Sequence, residues 1–329
     1  MTTLYLHIGN HRTATSSIQA FMLANWETLL SRGVLHPMRV GRHFALFNAI
    51  FSGRRSVKEV SQDLMTRARK HPFDVHSIVL SDEDVCMRTD LTPLAELSNH
   101  FDVKVVFALR RQDLWLESWY LQNIKWQWNK SLAHCTLTEF LARQEEFHWA
   151  YYDRLLGHCA ALFGQDNVLP YVFEKAQMPD GPVTAFCHRI GITDMVGLTP
   201  APHVNQSYSP SAAEFVRLLP LDEAPDKYRS RLEGAVKLVD STLAPAEHSS
   251  LLMDHSTRME IINRHAEGNA NVAQKYFNRE ALFLEPLPAP DAPLAQMVLP
   301  QDSGMLMRDY VAPMVRGLIR QYIDSTPKT

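Results

Sequence analysis

Short apolar runs, each followed by a polar loop and then by helix-like spacing, constrain this chain more than any other feature. Thr3 to Ile8, His76 to Leu80 and Val103 to Leu109 read as buried strands. Runs this continuous suit strands covered on both faces, as in parallel sheets. Val168 to Phe173 reads as a fourth strand, and Pro170 predicts a sheet edge or a strand end there. The alternation predicts the α/β class, a parallel central sheet flanked by helices. Ser16 to Leu30 carries helical spacing through Ile18, Phe21, Met22 and Leu29, interrupted at Asn25, with Gly33 beyond its end. Asp113 to Trp128 predicts an aromatic-rich helix, and Tyr152 to Phe163 one that stops at Gly164. From Pro200 onward the pattern is mostly helical, apart from an irregular Pro-rich stretch at Leu284 to Leu294. The expected organisation is one domain over 1–329, with 1–195 as its core and 196–329 as a helical extension completing the site.

Composition narrows the partners. With a net charge of -3 and a pI near 6.6, the chain offers no bulk electrostatic case for nucleic acid or an anionic membrane. Cys86, Cys135, Cys159 and Cys187 have no metal-ligand spacing, and the 15 histidines form no HExxH pattern, so no metal is expected. Met1 to His7 lacks a basic leader and no stretch reaches membrane-spanning length, which predicts a cytoplasmic protein without a membrane span. Oligomeric state is not readable.

The first polar loop is Gly9-Asn10-His11-Arg12-Thr13-Ala14-Thr15-Ser16-Ser17, between a strand and a helix. Backbone amides and the helix dipole favour a phosphate there. Arg12 adds a cation, and Thr13, Thr15, Ser16 and Ser17 add hydroxyls. The Gly-Lys pair of a Walker A loop is absent, which disfavours a kinase-like enzyme, and GxGxxG is absent too. A helix cap built from Thr and Ser, needing no ligand, is the competing reading.

A second feature follows the third strand. Arg110 and Ser118 are eight residues apart across a turn and a helix start, at the strand end where open α/β sheets bind ligands. Arginine's planar fork suits phosphate. Alternatively, Arg110 and Arg111 pair with Asp113 and Glu117 on a solvated surface.

The run from His7 to Gln19 resembles the 5′-phosphosulfate-binding loop of bacterial sulfotransferases, commonly HIGxxKTGTTSIQ. Arg12 stands where that family usually has a catalytic lysine, and Ala14 where it usually has glycine. Arg110 to Ser118 resembles the family's 3′-phosphate motif. Val79 to Glu83, Tyr152 to Ile192, Asn205 to Ser209 and Asn269 to Phe283 are similar to further family segments. The resemblance implies a P-loop-like sulfotransferase fold and 3′-phosphoadenosine-5′-phosphosulfate as co-substrate. It also implies transfer of a sulfuryl group to a hydroxyl or amine of an acceptor, such as a glycan or small metabolite. Arg12 would act electrostatically.

An acceptor hydroxyl needs a base. Glu83 is the first candidate, since it follows a strand beside the first. His43 is the second, because an ordinary histidine titrates near neutrality. Asp82 or Glu83 capping the next helix is the competing assignment. Trp115, Trp119, Tyr120, Trp126 and Trp128 read as core packing, with a sugar platform as the alternative. Arg12 and Ala14 also keep open a non-catalytic adenosine-nucleotide-binding or scaffold protein that retained the fold.

Overall fold

The structure is a computed structural model, and it describes residues 1–201, 208–243 and 251–325. Most of the Asn205 to Ser209 segment lies outside the described residues. The chain divides into two compact units that interleave along the sequence. The first comprises Met1–Gln112, Glu146–Asn205 and Ile262–Pro286, and the second Asp113–Glu145, Gln206–Ile261 and Leu287–Thr329.

The first unit opens with β1 (Thr3–His7), α1 (Thr15–Ala24), α2 (Trp26–Ser31), β2 (Val34–Leu35), α3 (Phe44–Phe51), α4 (Val57–Arg69), β3 (Ser77–Ser81) and β4 (Asp102–Leu109). The helix α5 (Gln112–Trp126), then α6 (Lys130–Ala133) and α7 (Leu137–Ala142), take the chain into the second unit. It returns with α8 (Tyr152–Phe163), β5 (Val168–Val172) and α9 (Gly181–Arg189). The expected α/β class holds: the sheet has five strands in the order β2-β3-β1-β4-β5, every pairing parallel.

Leu4 and Leu6 of β1 and Ile78, Val79 and Leu80 of β3 are fully buried, as continuous apolar runs require. Central β1 runs in register with both neighbours, His7 opposite Ser81 and Val106. β5 is an edge strand, so Pro170, opposite Phe107, costs the sheet no interior ladder bond. Ile18, Phe21 and Met22 of α1 pack with Phe186 and Cys187 of α9 over Val79, Val106 and Ala108 of the sheet.

The predicted helix from Ser16 to Leu30 is two helices. Asn25 breaks it because its side chain is committed elsewhere, its Nδ2 donating to Phe21 O (3.0 Å) and Thr199 O (2.9 Å), and its Oδ1 accepting from Thr199 N (2.6 Å). Residues 284–294 are irregular, as their prolines predict.

The second unit continues with α10 (Pro210–Arg217), α11 (Asp226–Thr242), the start of α12 (His255–Phe277), α13 (Ser303–Leu306) and α14 (Ala312–Ser325). Trp115 and Trp119 of α5 are buried and stacked at 5.8 Å, so this pair is core. The predominant polar contact here is the fully buried Arg258, which donates to Asp113 Oδ2 at 2.8 Å and to Glu117 Oε1. Glu117 also accepts the amides of Leu252 (2.6 Å) and Met253 (2.8 Å). Removing one partner of such a group strands the opposite charge in the core. Arg258→Ala is therefore expected to lower unfolding free energy by about 3–5 kcal/mol, and denaturant titration checks it; a loss within experimental error would show the triad to be dispensable.

Candidate functional site

The strand order reverses at β1, since the chain reaches β2 and β3 on one side of it and β4 and β5 on the other. The loop after β1 lies at that reversal, beyond the strands' carboxyl ends, where open α/β sheets hold ligands. Gly9, with φ +116°, is required here: a Cβ would lie 3.4 Å from Cys86 Sγ, from the Glu83 Cβ and from His11 N.

The loop reaches α1 through two left-handed residues, Arg12 (φ 63°) and Ala14 (φ 62°). Ala14 is the N-cap of α1, no side chain caps that helix, and its first turn holds no acid. The competing reading, a Thr/Ser cap without a ligand, is therefore not what these residues form. The Thr13 hydroxyl donates instead to Asn10 O at 2.6 Å. Among the described residues, the amides of Thr13, Ala14 and Thr15 meet no protein acceptor. Amides at a helix N-terminus in that state favour an anion. Thr15 is buried and Ser16 and Ser17 are half-buried on the first turn.

Arg110, at the end of β4, braces this loop: its Nη1 donates to Arg12 O at 2.7 Å. The Tyr152 hydroxyl fixes Arg110 in turn, accepting its amide at 3.2 Å and donating to its carbonyl. Asn10 is fully buried; its side chain lies near enough to favour ionisation of the Tyr152 phenol, yet neither its Oδ1 nor its Nδ2 has a hydrogen-bond partner of ordinary geometry. Burial pulls the Arg12 guanidinium below its ordinary pKa, a shift that an anion beside it would reverse. Arg111 is buried and donates to the carbonyls of Glu285 (2.7 Å) and Pro286 (3.1 Å), while Asp113 and Glu117 carry Arg258. Arg111, Asp113 and Glu117 are thus buried and do not lie on a solvated surface. Ser118 lies on α5, within the second unit, and is buried.

The other flank is an acidic run. Asp82 caps the 3₁₀ turn Glu83–Met87 by accepting from Asp84 N. Arg42 binds the three carboxylates in succession: Asp82, Glu83 (3.5 Å) and Asp84 (2.8 Å). Gln19 of α1 donates to Glu83 Oε2 at 2.7 Å, and His11 of the loop pairs with Asp84 at 3.1 Å. Burial opposes ionisation of Asp84, but the His11 hydrogen bond and the Arg42 charge outweigh it and hold its pKa at about 2. For Asp82 burial prevails over Arg42 and the pKa rises. His11 and Gln19 thus tie the loop and α1 to one charged cluster.

Glu83 lies beside Gly9, and His43, the second candidate base, is held by the backbone around it. The His43 Nδ1 accepts from Ser81 N (3.1 Å) and its Nε2 donates to Pro37 O (3.0 Å), so both ring nitrogens serve the backbone. Its pKa falls to about 3 through burial and the neighbouring His36, whose ring lies 4.7 Å away. His7, bonded to the Ser81 hydroxyl at 2.8 Å, is likewise lowered to about 3 by burial. Sequence reasoning gave no individual site role to Gln19, Arg42, Asp84 or Tyr152. Only the density of acid at 82–84 hinted that a cation must stand there. No group of His, Cys, Asp and Glu suited to a metal occurs among the described residues, and none of their helices is long and apolar enough to cross a membrane.

No family model and no curated protein matches this chain. Among solved structures it is similar to a crystal structure of a sulfotransferase from Alicyclobacillus acidocaldarius, with 16% identity, a TM-score of 0.40, and coverage of 62% of this chain and 85% of that one. A likeness that remote carries no argument, so the residues of the loop must carry the functional reading.

The buried histidines make stability acid-sensitive. Below about pH 6.5 the unfolded chain protonates His7 and His43, whereas the folded protein does not until about pH 3. Their contribution is complete above the unfolded pKa and lost as pH falls. Urea titrations are expected to show stability falling below about pH 6.5 by up to about 1.4 kcal/mol per pH unit for each histidine; a flat profile down to the carboxylate range would contradict the assignment.

Proposed function

We propose that this chain is a sulfotransferase using 3′-phosphoadenosine-5′-phosphosulfate, with the Gly9–Ser17 loop holding the 5′-phosphosulfate and Arg110 the 3′-phosphate. One observation carries the reading: α1 begins uncapped, at the site of the motif that resembles the family's loop, with the amides of Thr13, Ala14 and Thr15 lacking acceptors among the described residues. The residues present fit a phosphorylated nucleotide, because the loop after β1 carries amides, hydroxyls and Arg12, Arg110 braces it from the end of β4, and the first helical turn holds no acid. The nucleotide would supply a sulfuryl group already activated on a phosphate.

The chain's own part is to bind and orient that group, to stabilise developing negative charge, and to take the acceptor's proton. Arg12 supplies fixed charge, since arginine does not give up its proton at physiological pH. Glu83 is the base we assign: both of its protein contacts given above fall on Oε2, which leaves Oε1 for an acceptor hydroxyl or amine. Ser118 is retained as a second 3′-phosphate ligand on the strength of the motif alone. The acceptor is assigned only as a glycan or small metabolite. A cytoplasmic setting suits this co-substrate.

Two outcomes are expected. Adenosine 3′,5′-bisphosphate at about 100 times its Kd should raise unfolding free energy by roughly 2.7 kcal/mol, with ATP giving much less. Calorimetry should then find Arg110→Ala binding weaker by about 1.5–3 kcal/mol; equal stabilisation by ATP, or unchanged affinity in the variant, would refute the nucleotide assignment. Glu83→Gln should cut turnover by about 10²–10⁴-fold while keeping nucleotide affinity. Bisphosphate binding without turnover on any acceptor would favour the non-catalytic nucleotide-binding protein instead.

A further inference from the structure

The second unit carries a cavity of about 230 Å³ that the nucleotide reading does not use. Tyr120 of α5, Leu137 at the start of α7, Glu214 and Arg217 of α10, Leu252 and Met297 line it, and all six belong to that unit. Its walls are pinned by contacts that need no ligand. The Tyr120 hydroxyl donates to Cys135 O at 3.1 Å, and Arg217 Nη1 to His134 O at 2.8 Å. Glu117 accepts the Leu252 amide, and Ala295, also in the lining, donates its amide to Leu251 O at 2.7 Å. Preformed concavities of this kind, mostly apolar with a few fixed polar groups, are where small ligands bind.

Glu214 and Arg217 decide what the cavity can take. Arg217 Nε donates to Glu214 Oε2 at 2.8 Å and Nη2 to Oε1 at 2.6 Å, a two-pronged pair. Each side chain is only 15% exposed. Guanidinium N–H groups and carboxylate lone pairs remain without partners among the described residues. The pair therefore offers donors and acceptors side by side with no net charge. A carboxylate or phosphate entering here would meet the like charge of Glu214, and a cation that of Arg217. A hydroxyl both donates and accepts, so adjacent hydroxyls on a neutral ligand match this edge. Leu137, Leu252 and Met297 supply carbon surface for the C–H face of the same ligand. The volume falls below the roughly 300–1,000 Å³ of sites for drug-sized ligands, which suits a single ring.

We propose that this cavity binds one ring of a neutral sugar, with adjacent hydroxyls on the Glu214–Arg217 pair. Binding needs neither nucleotide nor group transfer, so its test is independent of the transferase reading. The probes are methyl β-D-glucopyranoside, methyl β-D-galactopyranoside and methyl α-D-mannopyranoside. Each is titrated into the full chain carrying ¹³C-labelled leucine and methionine methyl groups. At least one is expected to shift the Leu137, Leu252 and Met297 methyl resonances together and saturably, with the millimolar Kd usual for so small a ligand. The corresponding methyl uronide, which differs by a carboxylate, should bind at least about tenfold more weakly. Glu214→Gln removes the repelling charge, so that variant should prefer the uronide, a reversal that loss of the fold cannot produce. Leu137→Trp, which fills the cavity from α7, should abolish the shifts of Leu252 and Met297 at an unchanged thermal midpoint. Four results would overturn the proposal: no shift with any of the three sugars, a uronide bound as tightly as its neutral sugar, an unreversed preference in folded Glu214→Gln, or undiminished binding by Leu137→Trp.

Discussion

Holding the Gly9–Ser17 loop open is the constraint on which the rest of the first unit depends. Left-handed backbone costs a residue with a Cβ roughly 1–2 kcal/mol, and this loop uses it at both Arg12 and Ala14. It also leaves consecutive amides without acceptors among the described residues. The surrounding contacts hold it in that state. Arg110 binds the Arg12 carbonyl, Thr13 binds the Asn10 carbonyl, and His11 is anchored through Asp84 to Arg42. Strain held at a ligand site by its surroundings is a recurring feature of functional loops.

That view gives the two departures from the family-like motif a physical content. A glycine at position 14 would take the left-handed conformation at little cost, so Ala14 makes this loop more expensive. Arg12 replaces a point charge with a planar fork whose backbone carbonyl is itself part of the brace. Both differences alter energies within the loop and leave the uncapped helix start in place.

The strands were legible because β1, β3 and β4 are buried on both faces and so write continuous apolar runs. β2, two residues long, writes nothing. The break at Asn25 depends on Thr199, which no local window contains. Of the site, the loop and Arg110 were readable from residue type and position. The roles of individual side chains were not. Histidine and threonine suit binding and bracing equally, and only the tertiary partners show that Thr13 bonds the loop itself and that His43 has both ring nitrogens on backbone groups. The resemblance marked Gln19 but could not show that it reaches Glu83. Arg42 could not be singled out, because its three carboxylates are some forty residues away.

The loop amides themselves report whether an anion sits at the start of α1. In ¹⁵N-labelled protein titrated with adenosine 3′,5′-bisphosphate, the amide resonances of Thr13, Ala14 and Thr15 are expected to shift downfield together and saturate with one binding constant. If saturating bisphosphate leaves those three resonances in place while others move, the anion binds elsewhere and the loop is not the phosphate site.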